Sequence, residues 1–233
     1  MRERKEMIMN EYSIENLYDL NETIAADIFK GVTYPWEVLP KIKEFIVELG
    51  KTLPEEKFEK RGEDIWVARS AKFLSDNVYI AGPCIIDEEA EIRPGAFIRG
   101  SAIVGKGAVV GNSTELKNVI LFNKVQVPHY NYVGDSILGF KSHMGAGSIT
   151  SNVKSDKKLV VIKNGADDMV ETGLKKVGAM LGDNVEVGCG SILNPGTVVG
   201  RESNIYPLSS VRGCVPAKHI YKEKGVVVPK NND

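Results

Sequence analysis

The fold is decided by residues 80–116, which read IAGPCIIDEEAEIRPGAFIRGSAIVGKGAVVGNSTEL. Every sixth position in this stretch holds a large aliphatic residue, and the position two before it holds a small one. The large residues are Ile80, Ile86, Ile92, Ile98, Val104, Val110 and Leu116, and the small ones are Cys84, Ala90, Ala96, Ala102, Ala108 and Thr114. One large and one small side chain in every six residues fill a narrow interior, a pattern typical of a parallel β-helix.

A second run with the same spacing follows nearer the C-terminus. Its large positions are Leu181, Val187, Leu193, Val199, Ile205 and Val211, and its small positions are Val185, Ser191, Thr197, Ser203, Ser209 and Val215. Neither the two-residue alternation of a β-strand nor the 3.6-residue period of an α-helix would place apolar residues at these six-residue intervals. Three flat sides of six residues predict a coil of eighteen, so residues eighteen apart should lie one above another, about 4.8 Å apart. We therefore predict an all-β solenoid over residues 65–216.

The repeat is interrupted between the two runs. Its pattern breaks over residues 115–148, and the chain should leave the coil as a polar excursion over about 150–180. Long excursions of this kind are usually functional. Residues 217–233 form a C-terminal tail.

Residues 1–64 favour helices and a linker. Helical spacing of apolar residues predicts one helix over 14–28, and a second from Pro35 or Pro40 to Leu49, with Gly50 as its terminator. A repeat protein needs its ends covered, so these helices are expected to form a cap over the open end of the solenoid. A substrate lid or a partner-binding arm is the alternative.

Composition excludes several classes of function. The 30 Lys and Arg nearly balance the 31 Asp and Glu, so nothing indicates a nucleic-acid partner. No stretch reads as a signal peptide or a membrane span, and we expect a cytoplasmic protein. The cysteines, Cys84, Cys189 and Cys214, lack metal-ligand spacing and are expected to be reduced. No metal site is predicted.

Arg99 and Lys117 are eighteen residues apart, and each follows a large aliphatic residue of the repeat. Both should therefore project outward from one face of the solenoid, on adjacent coils. Like charges this close repel one another unless an anion joins them, and a phosphate accepts hydrogen bonds from both. Two solvated side chains that splay apart would satisfy the same spacing, so the spacing alone leaves both interpretations open.

Three motifs establish a resemblance to a known family. They are Glu115-Leu116-Lys117-Asn118, Val127-Pro128-His129-Tyr130-Asn131-Tyr132-Val133-Gly134-Asp135 and Gly145-Ala146-Gly147-Ser148-Ile149-Thr150-Ser151-Asn152. In order and spacing they resemble the acetyltransferase domain of the bifunctional bacterial enzyme that makes UDP-N-acetylglucosamine, and the C-terminal solenoids of related sugar-1-phosphate nucleotidylyltransferases. The resemblance covers residues 65–215. It implies a left-handed β-helix that forms a homotrimer with active sites at the subunit boundaries.

The resemblance also implies an activity, the transfer of an acetyl group from acetyl-CoA to the amino group of glucosamine 1-phosphate or galactosamine 1-phosphate, with no metal required. His129 would be the general base and Glu115 the carboxylate that orients it. Ala146 lies in a Gly-Ala-Gly turn whose backbone N–H groups would approach the thioester carbonyl. Asn152 would contact acetyl-CoA or the product. Cys189 would either contact the pantetheine arm or be a wall residue of the solenoid.

Four further residues match substrate positions of the family. Arg99, Lys117 and Lys158 match positions that hold the sugar phosphate, and Tyr132 matches a tyrosine that contacts the substrate. His143 departs from the pattern, because relatives usually have asparagine there. The resemblance therefore implies a sugar-binding role for His143 but leaves the identity of the hexosamine open.

The sequence also leaves other functions open. The departures at His143 and Val153 allow another amino-sugar or hydroxyl acceptor, and a regulatory or scaffold protein could keep the sugar-phosphate pocket without turnover. A metal-dependent hydratase needs three zinc-ligand histidines, and the sequence has only His129, His143 and His219. Residues 1–64 are too few to form the nucleotidylyltransferase domain of the relatives, so no pyrophosphorylase activity is expected.

Overall fold

Residues 10–165 and 168–231 are described by a computed structural model. Residues 1–9 of the expected helical segment and 232–233 of the expected tail lie outside the described residues. The helices are α1 (Ile14–Leu17) and α2 (Ile42–Thr52), with short 3-10 helices at Leu20–Glu22, Ala26–Phe29, Pro35–Lys41 and Glu223–Gly225.

Short β-strands form the rest of the regular structure. In chain order they are β1 (Phe58–Gly62), β2 (Ile65–Ala68), β3 (Lys72–Phe73), β4 (Tyr79–Ile80), β5 (Cys84–Ile86), β6 (Glu91–Ile92), β7 (Phe97–Ile98), β8 (Ala102–Val104), β9 (Val109–Asn112), β10 (Glu115–Leu121), β11 (Gln126–His129), β12 (Tyr132–Leu138), β13 (His143–Met144), β14 (Ile149–Thr150), β15 (Val161–Lys163), β16 (Met169–Glu171), β17 (Ala179–Leu181), β18 (Glu186–Val187), β19 (Ile192–Leu193), β20 (Thr197–Val199), β21 (Asn204–Ile205), β22 (Ser210–Val211), β23 (Cys214–Val215), β24 (His219–Tyr221) and β25 (Val227–Pro229).

These strands stack in parallel into three faces. The first face contains β2, β5, β8, the second half of β10, the second half of β12, β17, β20 and β23. The second face contains β3, β6, β9, β11, β13, β18, β21 and β24. The third face contains β4, β7, the first half of β10, the first half of β12, β14, β19 and β22. Antiparallel pairs occur where β1 meets β2, where β24 meets β25, and between β15 and β16.

The interior is filled as the six-residue spacing predicts. All the large and small repeat positions named above are buried, apart from Ile80 in the first coil, which is half-buried. The prediction of an all-β solenoid is confirmed, and the side chains that fill it come from every coil.

The length of a coil changes in the middle of the solenoid. Leu116 lies over Val133, which is seventeen residues further along the chain and not eighteen. One corner residue is missing between the third and first faces here, so β10 and β12 each cross the corner as one continuous strand. Asn118 and Asp135 turn this corner with φ angles of 55° and 48°. The expected coil of eighteen residues is therefore wrong for this region, although the inward pattern survives.

The N-terminal segment packs against a side of the solenoid. The outward residues of the first face are fully buried, namely Ile85, Ile103, Ile120, Ile137 and Met180. Helix α2 contacts β5, β8 and β10, and the ring of Tyr18 packs 5.0 Å from that of Phe122. The described helices of this segment therefore cover a side of the solenoid, whereas β1, which pairs with β2 of the first coil, lies at its N-terminal end. The strands of the first face have apolar side chains that point inward and apolar side chains that point outward. The N-terminal segment lies on this side because the outward apolar side chains must also be covered.

Contacts with the solenoid also change the first predicted helix. The helical spacing over 14–28 predicts one continuous helix, but α1 ends at Leu17. Beyond it, the N–H of Asp19 donates to Asp183 Oδ2 at 2.8 Å, and the carbonyl of Glu22 accepts from the N–H of Asn123 at 2.9 Å. Hydrogen bonds to the solenoid thus replace the bonds that a longer helix would have made.

The second predicted helix runs past its expected end. Helix α2 continues through Gly50 to Thr52, so Gly50 is not its terminator. Gly50 is buried against the indole of Trp66, and a Cβ atom at position 50 would collide with that ring. The glycine is required there by close packing and not by helix termination.

The excursion between the two repeat runs is a packed hairpin. The chain leaves the third face after Thr150 and returns to the first face at Ala179. Strands β15 and β16 pair antiparallel within it. Val160 and Ile162 are fully buried, so this hairpin is seated against the solenoid.

We expect Ile103→Ala to lower the free energy of unfolding by about 2–5 kcal/mol, because the side chain is enclosed between the first face and the N-terminal segment. Val109 is a matched control, since it points outward from the second face in the same coil and is only half-buried. Val109→Ala should cost about 1 kcal/mol or less. Urea denaturation followed by circular dichroism measures both. Similar small losses for the two variants would mean that the first face is not covered in solution.

Candidate active site

The site residues expected from the sequence fall mainly on two edges of the third face. We call the junction of the second and third faces, with His129, Ala146 and Cys189, the His129 edge. We call the junction of the third and first faces, with Arg99, Lys117, Asp135 and Asn152, the Lys117 edge. Each edge is a column of residues contributed by successive coils.

At the His129 edge, three of the expected residues stack one above another. His129 is the last residue of β11, and its carbonyl accepts from the N–H of Gly147 at 3.0 Å. One coil further on, the carbonyl of Ala146 accepts from the N–H of Gly190 at 2.9 Å, which places Cys189 above Ala146. His129, Ala146 and Cys189 are all exposed. The structure thus brings the expected base and two expected cofactor residues to one solvent-facing column.

Asn131 fixes this column from inside, a role that the sequence analysis missed. The residue is buried, and its Oδ1 accepts from the N–H of His129 at 3.1 Å. Its Nδ2 donates to the carbonyls of Gly145 at 2.9 Å and Ser148 at 3.0 Å. Tyr130 lies between them with a φ of 53°, in a region that few non-glycine residues adopt. The turn after His129 and the Gly-Ala-Gly turn are therefore held in one fixed relation.

The Gly-Ala-Gly turn leaves one backbone donor available. The N–H groups of Gly145, Gly147 and Ser148 donate within the solenoid, to the carbonyls of Val187, His129 and Gly145. The N–H of Ala146 has no acceptor among the described residues. A single donor beside His129 is therefore the group that could meet a thioester carbonyl.

At the Lys117 edge, a buried carboxylate organises the cluster. Asp135 accepts from Lys117 Nζ at 3.0 Å, from Asn118 Nδ2 at 2.9 Å and from Asn152 Nδ2 at 2.6 Å. The same Asn152 Nδ2 lies 3.1 Å from the phenol oxygen of Tyr132. Burial is the largest cause of the raised pKa of Tyr132, which therefore stays a protonated phenol.

Glu115 makes no hydrogen bond to His129 among the described residues of the single chain. Glu115 Oε1 instead accepts from Arg99 Nη1 at 2.6 Å, and this hydrogen bond raises the pKa of Arg99. Glu115 pairs in register with Tyr132, three positions beyond His129, so its backbone lies on the order of 10 Å along the face from the histidine. The two expected phosphate ligands, Arg99 and Lys117, therefore each have a carboxylate partner in the isolated chain.

Asn152 was expected at the cofactor and instead lies at the opposite edge from Ala146 and Cys189. Lys158 lies in the excursion, where it is exposed, and its backbone N–H donates to Asp156 Oδ1 at 3.1 Å. A single chain therefore does not bring Asn152 to the His129 edge, and Lys158 makes no hydrogen bond to the Lys117 edge among the described residues.

His143 lies at the start of β13 on the second face, below the His129 edge. Its Nδ1 is 2.8 Å from Glu186 Oε2. Both line an open cavity of about 390 Å³ together with Lys124 and Lys141. His143 is therefore paired with a carboxylate of the next coil.

Asp135 and Asn118 were quoted in the motifs but given no role from the sequence. An eighteen-residue spacing from Lys117 points to Asp135, but the local coil has seventeen residues, so Asp135 is stacked with Asn118 and is reached by the side chain of Lys117. A buried carboxylate next to a column of cations pairs with them and offsets their mutual repulsion.

Within residues 10–165 and 168–231, no three side chains of His, Cys, Asp or Glu converge on a point where a metal ion could bind. None of the helices in those ranges is long and apolar enough to cross a membrane. The three cysteines are free thiols.

The stacked hexads and the two residue columns define a hexapeptide-repeat solenoid of the left-handed β-helix class. Residues 80–224 match the model of the family described as the GMPPB C-terminal domain, and the chain belongs to this family.

Curated relatives agree with the resemblance seen in the motifs, which is confirmed. The bifunctional protein GlmU of Methanococcus maripaludis is 27% identical over 224 residues, which cover 88% of this chain and 50% of the relative. The bifunctional sugar-1-phosphate nucleotidylyltransferase/acetyltransferase of Sulfurisphaera tokodaii is 32% identical over 167 residues, covering 64% of this chain and 41% of the relative. The chain spans about half the length, or less, of these relatives.

Among solved structures, a hexapeptide transferase family protein from Anaplasma phagocytophilum is 16% identical, with a TM-score of 0.40. The match covers 72% of this chain and 79% of that one.

We expect Asp135→Asn to lower the free energy of unfolding by about 1–3 kcal/mol, because an amide turns a donor toward Lys117, Asn118 and Asn152 where they need an acceptor. Asp156→Asn is the matched control, since Asp156 is exposed and its ion pair with Lys154 is 3.4 Å long. That substitution should change stability by less than about 0.5 kcal/mol. Thermal and urea unfolding test the difference, and equal stability of the two variants would contradict the central position of Asp135.

Proposed function

We propose that the protein transfers an acetyl group from acetyl-CoA to the amino group of a hexosamine 1-phosphate, either glucosamine 1-phosphate or galactosamine 1-phosphate. The observation that supports this most is the arrangement of the third face, which has His129 at one edge and a cluster of cations and hydrogen-bond donors at the other. The names of the curated relatives, which include acetyltransferase and sugar-1-phosphate, favour the same substrate class.

His129 acts as the general base in this proposal. The amine nitrogen forms a bond to the acetyl carbonyl carbon, its proton passes to the imidazole, and the bond from that carbon to the sulfur of coenzyme A breaks. A neutral imidazole nitrogen can accept this proton. The free N–H of Ala146, on the same edge, would donate to the carbonyl oxygen as negative charge develops there.

Lys117, Arg99 and Tyr132 would hold the acceptor. A phosphate dianion offers several acceptor oxygens to Lys117 and Arg99, and could compete with Asp135 and Glu115 for them. The phenol of Tyr132 would donate to the phosphate or to a sugar hydroxyl. Lys158 stays a proposed phosphate ligand, supplied by the excursion when the acceptor is present. Asn152 and Cys189 stay proposed contacts to the donor.

The proposed site needs two copies of the chain. Within one chain, His129 and Gly134, the residue stacked over Lys117, lie five residues apart along the third face, on the order of 15 Å. The same face leaves Tyr79 58%, Phe97 39% and Ile192 42% exposed. Packing this face around a threefold axis would bury these side chains and bring the His129 edge of one copy to the Lys117 edge of the next. We therefore propose a homotrimer with its active sites between subunits.

Another amino sugar, or a sugar hydroxyl, is the second candidate acceptor. The observation that favours it is the pairing of His143 with Glu186 at the position where relatives have asparagine. Because a carboxylate only accepts, Nδ1–H of His143 donates to Glu186, and Nε2 of the neutral ring offers a substrate an acceptor where an amide would offer both a donor and an acceptor. This change would alter which sugar hydroxyl or amine is recognised while leaving the acyl chemistry intact.

We expect acetyl-CoA-dependent thiol release with glucosamine 1-phosphate or galactosamine 1-phosphate, and a fall in kcat of about 10²–10⁴-fold for His129→Ala. The assay follows coenzyme A with a thiol reagent against a panel of amino-sugar phosphates, unphosphorylated amino sugars and hydroxyl acceptors.

His219→Ala is the matched control for this assay. His219 lies on β24, its Nδ1 is 2.7 Å from the carbonyl of Ala217, and the proposal gives it no part in catalysis. Its variant should keep the kcat of the natural chain. Near-full activity of His129→Ala would refute the assignment of the base, and activity only with unphosphorylated acceptors would refute the phosphate site.

A further inference from the structure

A second cationic cavity lies beneath the β15–β16 hairpin. The hairpin approaches the solenoid closely at two glycines. A Cβ atom at Gly196 would lie 2.8 Å from Val160 Cγ1, and one at Gly213 would lie 2.6 Å from the carbonyl oxygen of Lys163. Between the hairpin and the edge of the solenoid is a cavity of about 500 Å³. We call it the hairpin pocket.

Three cations and one carboxylate are among the residues that line the hairpin pocket. Lys154, Lys163 and Arg212 supply the positive charge, and Asp156 supplies the carboxylate. Lys154 Nζ is 3.4 Å from Asp156 Oδ2. Neither Lys163 nor Arg212 lies within 4 Å of a carboxylate oxygen of the described residues. Cations that converge on one cavity without enough carboxylates to balance them favour the binding of an anion.

The hairpin pocket belongs to the Lys117 edge but is separate from the Asp135 cluster. Lys117 is stacked with Gly134 in the strand register, and the same column continues through Ser151, Asn194 and Arg212. These four steps of about 4.8 Å put Arg212 roughly 19 Å from Lys117 along the edge. A single phosphate cannot reach both.

Uncharged polar side chains of the hairpin pocket can also form hydrogen bonds with phosphate oxygens. Ser151 and Ser155 line it with hydroxyl groups. The side chain of Asn194 lines it too, although its Nδ2 already donates to the carbonyl of Val211 at 2.8 Å. The cavity also has room for more than one phosphate, and guanidinium and ammonium groups bind a diphosphate with several charge-assisted hydrogen bonds.

We propose that the hairpin pocket binds a phosphate or diphosphate group, at a site distinct from the one proposed for the phosphate of the acceptor sugar. The same chemistry has two possible sources, the nucleotide end of the acyl donor and the diphosphate of a nucleotide-linked sugar. The choice between these sources rests on the proposed function, whereas the binding of the anion does not.

The binding of inorganic pyrophosphate to the full chain, measured by isothermal titration calorimetry, tests the site without any assay of activity. The double variant Lys163→Gln with Arg212→Gln should bind pyrophosphate at least tenfold more weakly, since each charge-assisted hydrogen bond contributes about a tenfold effect or more. Lys41→Gln with Lys43→Gln is the matched control, because it removes the same charge from exposed positions next to and within α2. The control should bind as the natural chain does.

Gly213→Ala tests the geometry with the charges kept. A methyl group at position 213 displaces the hairpin at the carbonyl of Lys163, so pyrophosphate binding should again weaken. Unchanged affinity in the double variant, or no pyrophosphate binding by the natural chain, would overturn the proposal. Pyrophosphate binding that depends on Lys163 and Arg212 would support it even if no acyl transfer were found.

Kinetics then distinguish the two sources. If the pocket holds the donor, the double variant should raise KM for acetyl-CoA several-fold and leave KM for the acceptor unchanged, and dephospho-coenzyme A shows whether the 3′-phosphate is the group held. If it holds a nucleotide-linked acceptor, only KM for that acceptor should rise. Unchanged KM values for both would overturn the assignment of the pocket to a substrate.

Discussion

The width of the solenoid interior is the constraint on which the rest of the structure depends. Each coil admits one large and one small side chain from each side, and the parallel ladders fix the coils one above another. Any residue next to an inward position is therefore held at a defined edge, in a column with its counterparts from other coils. The positions of Lys117 and His129 follow from this register before any contact of their own side chains is considered.

Two local departures from the repeat shape the candidate site. The missing corner residue in the middle coils brings Asn118 and Asp135 to the same bend, and the buried carboxylate collects Lys117 and Asn152 around it. The other departure is the hairpin excursion, which leaves beside Asn152 and forms a second cationic cavity on the same edge. Both departures add polar groups to the Lys117 edge, whereas the His129 edge keeps the regular stacking of the repeat.

Much of the fold could be predicted from the sequence, because the hexads have a single structural interpretation. The sequence also indicates that the first face is covered on its outer surface, since Ile85, Ile103 and Ile120 are apolar at positions that point outward. The hexad pattern does not predict this covering, because it describes only the inward positions. The pairing of Glu115 with Arg99 was not readable, because family likeness gives a residue a role without giving the distance to its partner. The end of helix α2 was predicted wrongly at Gly50, because a glycine required for packing against Trp66 cannot be distinguished in sequence from one that ends a helix.

The two edges are halves of one proposed active site, and a mixture of two differently inactivated chains tests this most directly. His129→Ala and Lys117→Ala are each expected to be nearly inactive as pure proteins. Unfolded together and refolded as random trimers, they should recover about a quarter of the activity of the natural chain, because one boundary in four pairs an intact His129 edge with an intact Lys117 edge. A mixture no more active than the two variants measured separately would contradict a site shared between copies.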